Sequence, residues 1–571
     1  MKTSFIGVGS GVVDAPFSST SFYLDADYKW LKLKVSFSKK GWYSIFVWDP
    51  AEKLRIQSLY INEPKEIILS GSPDETSYSS VPGLILQGKW KLEIFAATYK
   101  ANPEYKFTFE CGQDSAEVYG ESEEFWSWAG SLGDAETDWC AWNRGGAETD
   151  RDAWNSGGAE TDRGILSHGS AEIDRCPEID ADGDANRSAD STLDIGQEEV
   201  AVSAPALTLN RFDEKKTLKT VKRWYKGDFH THTNESDGKM SPREGMEQAK
   251  KMGLDYFAVT DHNILPTKWI KDGVLPIPGI EITSSKGHFN ALGLKRWVDW
   301  RPTCTDGGME SKEGMNRVIA EVKSAGAIVS INHPMLKPWE WQFKTTPLSL
   351  VDVIEIWNDP TYKNNPSATE EALHLWDILW NDGYRIYGIG GSDSHLRPNE
   401  SYEKDGPPSV IGDPATYVYA NELSAKAILA GVKNGNVYVS RGPVLDCQVY
   451  TEGSAYKPGS EIGANISGDS VVFNYEVKYE NIETGASLHW ILNGNEYKKV
   501  LLNSSCGTNT ETFQWKKSEP NWLRLEIRGN NGQLLAFTNP VYSGQKKTTL
   551  QTWGELIDKF RTVPVTTRIS T

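Results

Sequence analysis

The chain has 571 residues, a formal net charge of −18 and the apolar and charged content of an ordinary globular protein. Its length predicts roughly three or four domains. The acidic charge excludes a nonspecific polyanion binder, because nucleic-acid affinity requires a basic surface, and no apolar run is long enough to span a membrane. The six cysteines include no C-x-x-C pair, a distribution typical of neither a zinc cluster nor a disulfide framework. The N-terminus is a poor secretory signal, so we expect a cytoplasmic protein.

Residues 1–113 predict an N-terminal β-sandwich. Short segments that alternate apolar and polar residues are separated by Gly, Pro and Asp, a pattern typical of antiparallel strands. The predicted strands are residues 30–37, 41–48, 66–69 and 88–95. We interpret this domain as a structural cap. A ligand- or carbohydrate-binding module is the alternative, because the sequence does not distinguish exposed from buried Trp.

Residues 114–205 differ in composition from both neighbouring regions. Ala-Glu-Thr-Asp occurs at 135–138, 147–150 and 159–162, and 171–174 is a fourth, altered copy, so the copies start twelve residues apart. The segment is rich in Gly, Ala, Asp and Glu and has little aliphatic content to bury. We interpret it as an acidic, mostly disordered linker built by tandem duplication. Calcium-loop spacing is absent from it.

Residues 206–442 alternate strands and helices, which predicts a parallel α/β arrangement, and about seven units favour a barrel over an open sheet. The predicted strands are residues 225–232, 254–260, 274–283, 289–294, 327–331, 351–357 and 384–390. A capping box at 241–244 opens the first predicted helix, and Gly253 closes it. A second helix is predicted over 312–325, and a second capping box at 367–370 opens a third.

Residues 443–545 return to short strands and predict a second, small β-sandwich. The predicted strands include residues 471–479, 489–493 and 522–528. Residues 546–571 form a tail with a predicted amphipathic helix over 550–561. The whole chain is therefore predicted as an α/β barrel between two all-β domains.

Six of the nine histidines lie at the ends of the predicted barrel strands, where the active sites of such barrels collect. They are His230, His232, His262, His288, His333 and His395. Asp237, Glu281 and Asp393 occupy matching positions. A lone histidine at a strand end is usually a satisfied polar residue, but six histidines with three carboxylates in one mouth indicate a metal site. Nitrogen and oxygen ligands without cysteine suit Zn, Mn or Fe.

A resemblance to a known family is carried by an ordered set of motifs. They are Asp-Phe-His-Thr-His-Thr, Ser-Asp-Gly, Thr-Asp-His, Gly-Ile-Glu, His-x-x-x-Leu-Gly, Asn-His-Pro and Ser-Asp-Ser-His. In this order they resemble the polymerase-and-histidinol-phosphatase (PHP) domain over about residues 225–442. The flanking sandwiches, with Glu355–Asn358 and Val437–Pro443, resemble the carbaryl-hydrolase-like branch of that family. The acidic repeats are not part of the pattern.

The resemblance implies a distorted seven-stranded barrel with a trinuclear centre of divalent metal ions. The first metal would be held by His230, His232, Glu281 and Asp393. Glu281 would bridge to a second metal, completed by His288 and His333. The third would be held by Asp237, His262 and His395. Some family members have a histidine where this chain has Gly238, which makes the third metal the weakest of the three.

The chemistry that follows is hydrolysis. Close-set divalent cations lower the pKa of a shared water and supply hydroxide at neutral pH, which attacks phosphorus in line. Asp393 or His395 would carry the proton to the leaving group. Asp228 and Asp261 stand where they would orient the histidines, although each is equally well a turn residue. Lys268, Arg397 and Arg441 are candidate binders of a substrate phosphate, or else solvated surface charges.

We therefore expect a metal-dependent phosphoesterase acting on a small phosphorylated or nucleotide substrate. Nucleoside-bisphosphate phosphatase and 5′–3′ exonuclease activities share this chemistry. Hydrolysis of a carbamate or ester is the alternative, because hydroxide attacks carbon as well as phosphorus. A third hypothesis, from another class, is a surface- or glycan-binding protein whose barrel only supports the β domains.

Overall fold

The computed structural model describes residues 4–13, 17–61, 65–73, 75–96, 103–113, 212–270, 272–451, 453–464 and 467–563. This part of the chain is a mixed α/β protein in which the strands form five sheets and helices are few. The predicted acidic linker lies outside the described residues. No helix in the described ranges is long and apolar enough to cross a membrane.

Two four-stranded antiparallel sheets make up the N-terminal region. Its strands are β1 (Ser4–Val12), β2 (Phe17–Leu24), β3 (Trp30–Phe37), β4 (Trp42–Trp48), β5 (Leu54–Ile61), β6 (Glu66–Ser70), β7 (Gly88–Ala96) and β8 (Glu104–Gly112). The sheet orders are β1-β8-β3-β6 and β2-β7-β4-β5. The alternate residues Leu31, Leu33 and Val35 of β3 are buried, as its alternating sequence predicted, and the two sheets share one core. All four predicted strands are confirmed.

Strands and helices alternate irregularly in the region that carries the motifs. They are β9 (Arg223–Asp228), α1 (Pro242–Lys251), β10 (Tyr256–Val259), β11 (Leu275–Pro278), β12 (Glu281–Ser284), β13 (Gly287–Leu292), α2 (Lys312–Ser324), β14 (Ile328–Ile331), β15 (Val353–Asn358), α3 (Asn365–Asp382) and β16 (Tyr387–Gly391). Strands β9, β10 and β11 are parallel, as are β14, β15 and β16. Strands β12 and β13 are antiparallel to their neighbours, so the parallel prediction holds only in part.

The single strand predicted over residues 274–283 is wrong, because the chain changes sheets in the middle of it. Strand β11 pairs with β10, whereas β12 pairs with β13 in a second sheet. The change falls at Gly279, where a Cβ atom would lie only 2.9 Å from Cγ2 of Thr260. Single bridges, Thr231 to Ser394 and His262 to Glu281, connect the two sheets. The closed seven-stranded barrel stays a prediction.

The first two helices are confirmed, and the start of the third is corrected. Ser241 and Glu244 form the predicted capping box of α1, and Ser311 caps α2. The capping box predicted at 367–370 is wrong, because α3 already begins at Asn365. The hydroxyl of Ser367 donates to the carbonyl of Asn364 at 3.0 Å and does not cap the helix.

The remaining elements join the motif-bearing region to the C-terminal strands. They are β17 (Ala415–Ala420), α4 (Ala425–Lys433), β18 (Val437–Ser440), β19 (Val444–Thr451), β20 (Ser454–Tyr456), β21 (Ser470–Glu480), β22 (Ser487–Leu492), β23 (Asn495–Leu501), β24 (Gly507–Lys516), β25 (Asn521–Arg528), β26 (Leu534–Thr538), β27 (Val541–Ser543) and α5 (Trp553–Thr562). One ten-stranded sheet runs β11-β10-β9-β17-β18-β26-β25-β22-β23, with β27 beside β25. The boundary predicted at residue 442 falls within the span of this shared sheet. The predicted strands and helix of this region are confirmed as β21, β22, β25 and α5.

Candidate metal centre

The first two histidines lie just beyond strand β9. The strand ends at Asp228, so the prediction that both histidines are on the strand is wrong. The buried carboxylate of Asp228 accepts the backbone N–H groups of His230 at 3.0 Å, Ser392 at 3.1 Å and Gly412 at 2.7 Å. Burial raises the pKa of Asp228 to about 6, although these bonds act to lower it. Asp228 thus orients His230 through the backbone, not through the imidazole.

Glu281, fully buried at the start of β12, is surrounded by five histidines. Its Oε1 atom lies 3.3 Å from Nε2 of His230, 3.2 Å from Nδ1 of His288 and 3.5 Å from Nε2 of His333. Its Oε2 atom lies 3.5 Å from Nε2 of His232 and 2.7 Å from Nδ1 of His262. One carboxylate therefore connects ligand candidates that come from four different stretches of chain.

Asp393 completes the side of the cluster nearest His230 and His232. Its Oδ1 atom lies 3.1 Å from Nε2 of His230 and 2.9 Å from Nε2 of His232. Asp393 has a φ angle of 48° and His333 one of 27°, so both residues have left-handed backbone. Side-chain-bearing residues rarely adopt this conformation, and such strain collects at functional sites. Both residues were predicted from their motifs as metal ligands.

A second group of four residues lies next to Glu281. The Oδ1 atom of Asp237 is 3.2 Å from Nε2 of His395, 3.5 Å from Nε2 of His262 and 4.0 Å from Nδ1 of His232. Ligand atoms of these four side chains all lie within 4.8 Å of one another. Two three-residue sets meet the same limit, His230 with His232 and Glu281, and His262 with Glu281 and His288. The structure thus brings together the ligands predicted for the third metal, the one expected to be weakest.

The pKa values of the histidines differ across the cluster. Burial, with His395 and His262 nearby, lowers the pKa of His232 to about 3, and burial lowers that of His288 to about 4. For His395, burial also acts to lower the pKa, but the carboxylates of Asp237 and Asp393 outweigh it and raise the value to about 10. Neutral imidazoles such as those of His232 and His288 are the form that binds a cation.

Three buried polar side chains that the motif analysis left without a role hold the ligands in place. Glu355 lies on β15, and its Oε1 atom is 2.9 Å from Nδ1 of His230. Asn332 donates to Oε1 of Glu281 at 2.8 Å. The hydroxyl of Thr283 lies 2.5 Å from Nδ1 of His262. The sequence holds one signal for Glu355, which interrupts the apolar run Val353–Trp357 of the predicted strand.

Two glycines allow the backbone to approach the ligands closely. A Cβ atom at Gly391 would lie 2.4 Å from Cβ of His230 and 2.7 Å from Oε1 of Glu355. A Cβ atom at Gly238 would lie 2.6 Å from the carbonyl of His232. The histidine that some PHP proteins carry at the position of Gly238 therefore has no room here unless the backbone shifts.

Asp261, a further predicted site residue, lies beside the cluster. Asp261 is buried and accepts from the backbone and hydroxyl of Thr233, both at 2.7 Å, and from the hydroxyl of Ser236 at 2.6 Å. It therefore fixes the loop between His232 and Asp237. Burial raises its pKa to about 6.

The three candidate phosphate binders all contact protein groups. Lys268 donates to the backbone carbonyl of Thr76 at 2.5 Å, so its ammonium takes part in a contact with the N-terminal region. Arg441 pairs with Asp413 at 2.9 Å. The backbone N–H of Arg397 donates to Glu400 at 2.9 Å. Their role in binding a substrate stays a prediction.

The cluster fits divalent cations. The Nε2 atoms of His230 and His232 are buried and have no partner with hydrogen-bond geometry among the described residues, although carboxylate oxygens lie within 3.5 Å of both. Such an arrangement is expected of side chains that share a cation. The donor atoms of the cluster are nitrogen and oxygen, which suits Zn, Mn or Fe.

Comparison with protein families finds a match to the PHP domain at residues 228–338. A search of curated proteins found no match. Among solved structures, the chain is similar to a two-domain protein from Bacteroides vulgatus that contains a predicted PHP-like metal-dependent phosphoesterase. The identity is 19%, the alignment covers 56% of this chain and 96% of the other, and the TM-score is 0.30.

Two further solved structures are similar over a smaller part of the chain. One, described as a metal-dependent phosphoesterase from Bifidobacterium adolescentis, is 17% identical over 33% of this chain and 92% of its own, with a TM-score of 0.21. The other is an amidohydrolase from Chromobacterium violaceum with bound sulfate and no metal, 14% identical over 32% and 93%, with a TM-score of 0.18. These TM-scores are too low to support any further conclusion.

Residues 228–338 of the chain are a PHP domain, which confirms for these residues the resemblance drawn from the motifs. Membership of the carbaryl-hydrolase-like branch stays a prediction.

Proposed function

We propose that the protein is a phosphoesterase that hydrolyses a small phosphorylated or nucleotide substrate with two or three divalent ions, Mn, Zn or Fe, bound in a distorted seven-stranded barrel. The observation that supports it most strongly is that one buried carboxylate, Glu281, faces five of the six strand-end histidines. Burying such a group is costly unless cations compensate for it. Nucleoside-bisphosphate phosphatase and 5′–3′ exonuclease activities both fall within this proposal.

The ligand sets are those that the resemblance implies. His230, His232, Glu281 and Asp393 would hold one ion, and Glu281 would share a second ion with His288 and His333. Asp237, His262 and His395 would hold a third. When bound, these ions would supply hydroxide at neutral pH and stabilise charge on the substrate oxygens.

Charge favours a phosphate ester over a neutral carbamate. Four carboxylates, those of Asp237, Glu281, Glu355 and Asp393, face the histidines. Two divalent cations would balance their charge and a third would leave the site positive, so the fully loaded site would attract an anionic substrate. The net charge of −18 argues against nonspecific binding of nucleic acid. The positive charge of bound cations would be confined to the cluster.

The residues proposed to move protons lie on the accessible side of the cluster. The side chain of His395 is 17% exposed and that of Asp393 is 14% exposed, whereas His230, His232 and Glu281 are at most 1% exposed. A substrate that enters from this side meets Asp393 and His395 first. Either residue would pass the proton to the leaving oxygen, and Asp261 would act only by holding the loop of Asp237.

The test is hydrolysis by the metal-loaded protein of p-nitrophenyl phosphate, its diester, a nucleoside bisphosphate, p-nitrophenyl acetate and an aryl N-methylcarbamate. The proposal predicts turnover of one or more phosphate esters, lost in the variant His395→Ala with metal content measured in parallel. Turnover of the carbamate or acetate alone would replace the proposal with carbamate or ester hydrolysis. Inactivity on every substrate, with glycan binding, would favour the binding protein.

A further inference from the structure

The N-terminal sandwich is packed directly onto the PHP domain. Phe46 contacts Trp297 edge to face with ring centroids 5.9 Å apart, and it belongs to the same buried core as the strands around the metal centre. Arg301 of the PHP region forms an ion pair with the buried Glu93 of β7, which also accepts from Trp48 at 2.8 Å. This apolar and charged contact fixes one region against the other.

Beyond this contact, a single side chain of the sandwich holds the loop that follows His262. Gln57 of β5 is 1% exposed. Its Nε2 donates to the carbonyl of Leu265 at 2.6 Å, and its Oε1 accepts the N–H of Leu265 at 2.9 Å. The ring of Trp42, at the start of β4, lies 5.5 Å from the ring of His262. Two residues from the sandwich thus contact this ligand candidate or its loop.

Other side chains of the sandwich hold the loop that leads to Asp237. The ammonium of Lys65 donates to the carbonyls of Asn234 and Glu235, the second at 2.8 Å. The hydroxyl of Ser79 donates to the carboxylate of Glu235 at 3.0 Å. Asp237 follows two residues later in the chain. The loops of His262 and Asp237, both members of the four-residue ligand group, are therefore held by the same domain.

We propose that the N-terminal sandwich is part of the metal centre and that Gln57 is a positioning residue for His262. The amide of Gln57 would keep the loop of His262 at the distance at which His262, Asp237 and His395 share one cation. This inference rests on the proposed function, because it assumes that the four-residue group binds a metal. It replaces the interpretation of the sandwich as a cap or an independent binding module.

Gln57 is the appropriate position for a test, because it is neutral and its replacement changes no charge near the cations. Lys65 lacks this advantage, since its charge acts on Asp237, Asp261 and Glu235. Gln57→Met keeps the approximate size of the side chain and removes both hydrogen bonds. Arg301→Met is the matched control, because it breaks a buried contact between the same two regions without touching a loop of the ligand group.

The experiment titrates metal-free full-length protein with Co²⁺ and follows both visible absorption and the melting temperature. Groups that hold metal ligands in place typically change metal affinity by about 10- to 100-fold. We expect Gln57→Met to lower the affinity for one of the bound Co²⁺ ions by about tenfold or more and to change the absorption band of that ion. Both quantities are measured well below the melting temperature. Arg301→Met should lower the melting temperature and leave the affinity for every Co²⁺ ion as in the wild type.

The outcomes separate this inference from the proposed function. A wild type that binds no Co²⁺ would overturn both. A wild type with its full complement, and a Gln57→Met protein with the same affinities and spectrum, would overturn the inference alone. If Gln57→Met does not fold, Trp42→Phe provides the same comparison through the ring of His262. An unchanged Co²⁺ spectrum in that variant would also contradict the inference.

Discussion

Nδ1 of His230 lies 2.9 Å from Oε1 of Glu355, and both side chains are buried. The second oxygen of Glu355 accepts the backbone N–H of His333 at 2.9 Å. A carboxylate in this position accepts the Nδ1–H of the imidazole, and so leaves the lone pair of Nε2 for a cation. Glu355 therefore holds two ligand candidates at once, one by its ring and one by its backbone.

Replacing Glu355 with Gln should weaken metal binding by about 10- to 100-fold, because the amide is a poorer acceptor for the His230 ring. The glutamine oxygen still accepts one N–H, so the fold should persist. Competition with a chromophoric chelator measures the affinity directly. Wild-type affinity in the Gln variant would show that Glu355 does not orient the ligand.

The close approach at Gly391 predicts a steric effect. Gly391→Ala places a Cβ atom 2.4 Å from His230 and should lower the free energy of unfolding by about 1–3 kcal/mol, because the neighbours are packed on all sides. Denaturant unfolding of the metal-free protein measures the change. Gly71→Ala is the matched control, since a Cβ atom there meets nothing within 4 Å. Equal stabilities of the two variants would contradict the prediction.

The candidate ligands could be predicted from the sequence because each lies in a short local motif. His230, Asp393 and Glu281 needed no knowledge of the distant chain. The contact between Gln57 and Leu265 joins residues 208 positions apart, and no local pattern encodes it. The change of sheet at Gly279 was missed although Pro276, Pro278 and Gly279 interrupt the apolar pattern of residues 274–283. These residues permit a break, but the second sheet that β12 joins is formed with distant chain.

A buried aspartate beside the cluster predicts a pH dependence. Burial and the nearby Asp393 raise the pKa of Asp359 to about 6, although Thr361 and Ser409 donate hydrogen bonds to it. A carboxyl whose pKa is higher in the folded than in the unfolded protein stabilises the fold at low pH. That stability is lost as the pH rises from about 4 through 6, and the change is on the order of 3 kcal/mol.

The variant Asp359→Asn lacks this titration. Its melting temperature relative to the wild type should therefore increase between pH 5 and pH 7 in metal-free protein, where the other titrating groups are common to both. A difference that stays constant, or that decreases with pH, would show that Asp359 is not protonated in the folded protein at pH 5.

A buried ion pair links helix α3 to strand β25. Arg524, which is fully buried, contacts Asp377 at 2.9 Å and also pairs with Glu526. Asp377→Ala leaves Glu526 as the one carboxylate paired with the guanidinium among the described residues, and it should destabilise the protein by about 3 kcal/mol or more. Thermal unfolding measures the loss of stability, with Asp558→Ala, at an exposed position, as control. A small effect, like that of the control, would show that the pair does not tie helix α3 to the shared sheet.

The histidine and carboxylate cluster is proposed to bind the catalytic metal. The most direct measurement is the metal content of purified protein by elemental mass spectrometry after supplementation with Mn, Fe or Zn. It compares the wild type, His230→Ala and His489→Ala, a buried histidine outside the cluster that pairs with Glu496. We expect two or three equivalents of metal in the wild type and in His489→Ala, and loss of metal in His230→Ala. A wild type without metal, or a His230→Ala protein with the full complement, would contradict this expectation.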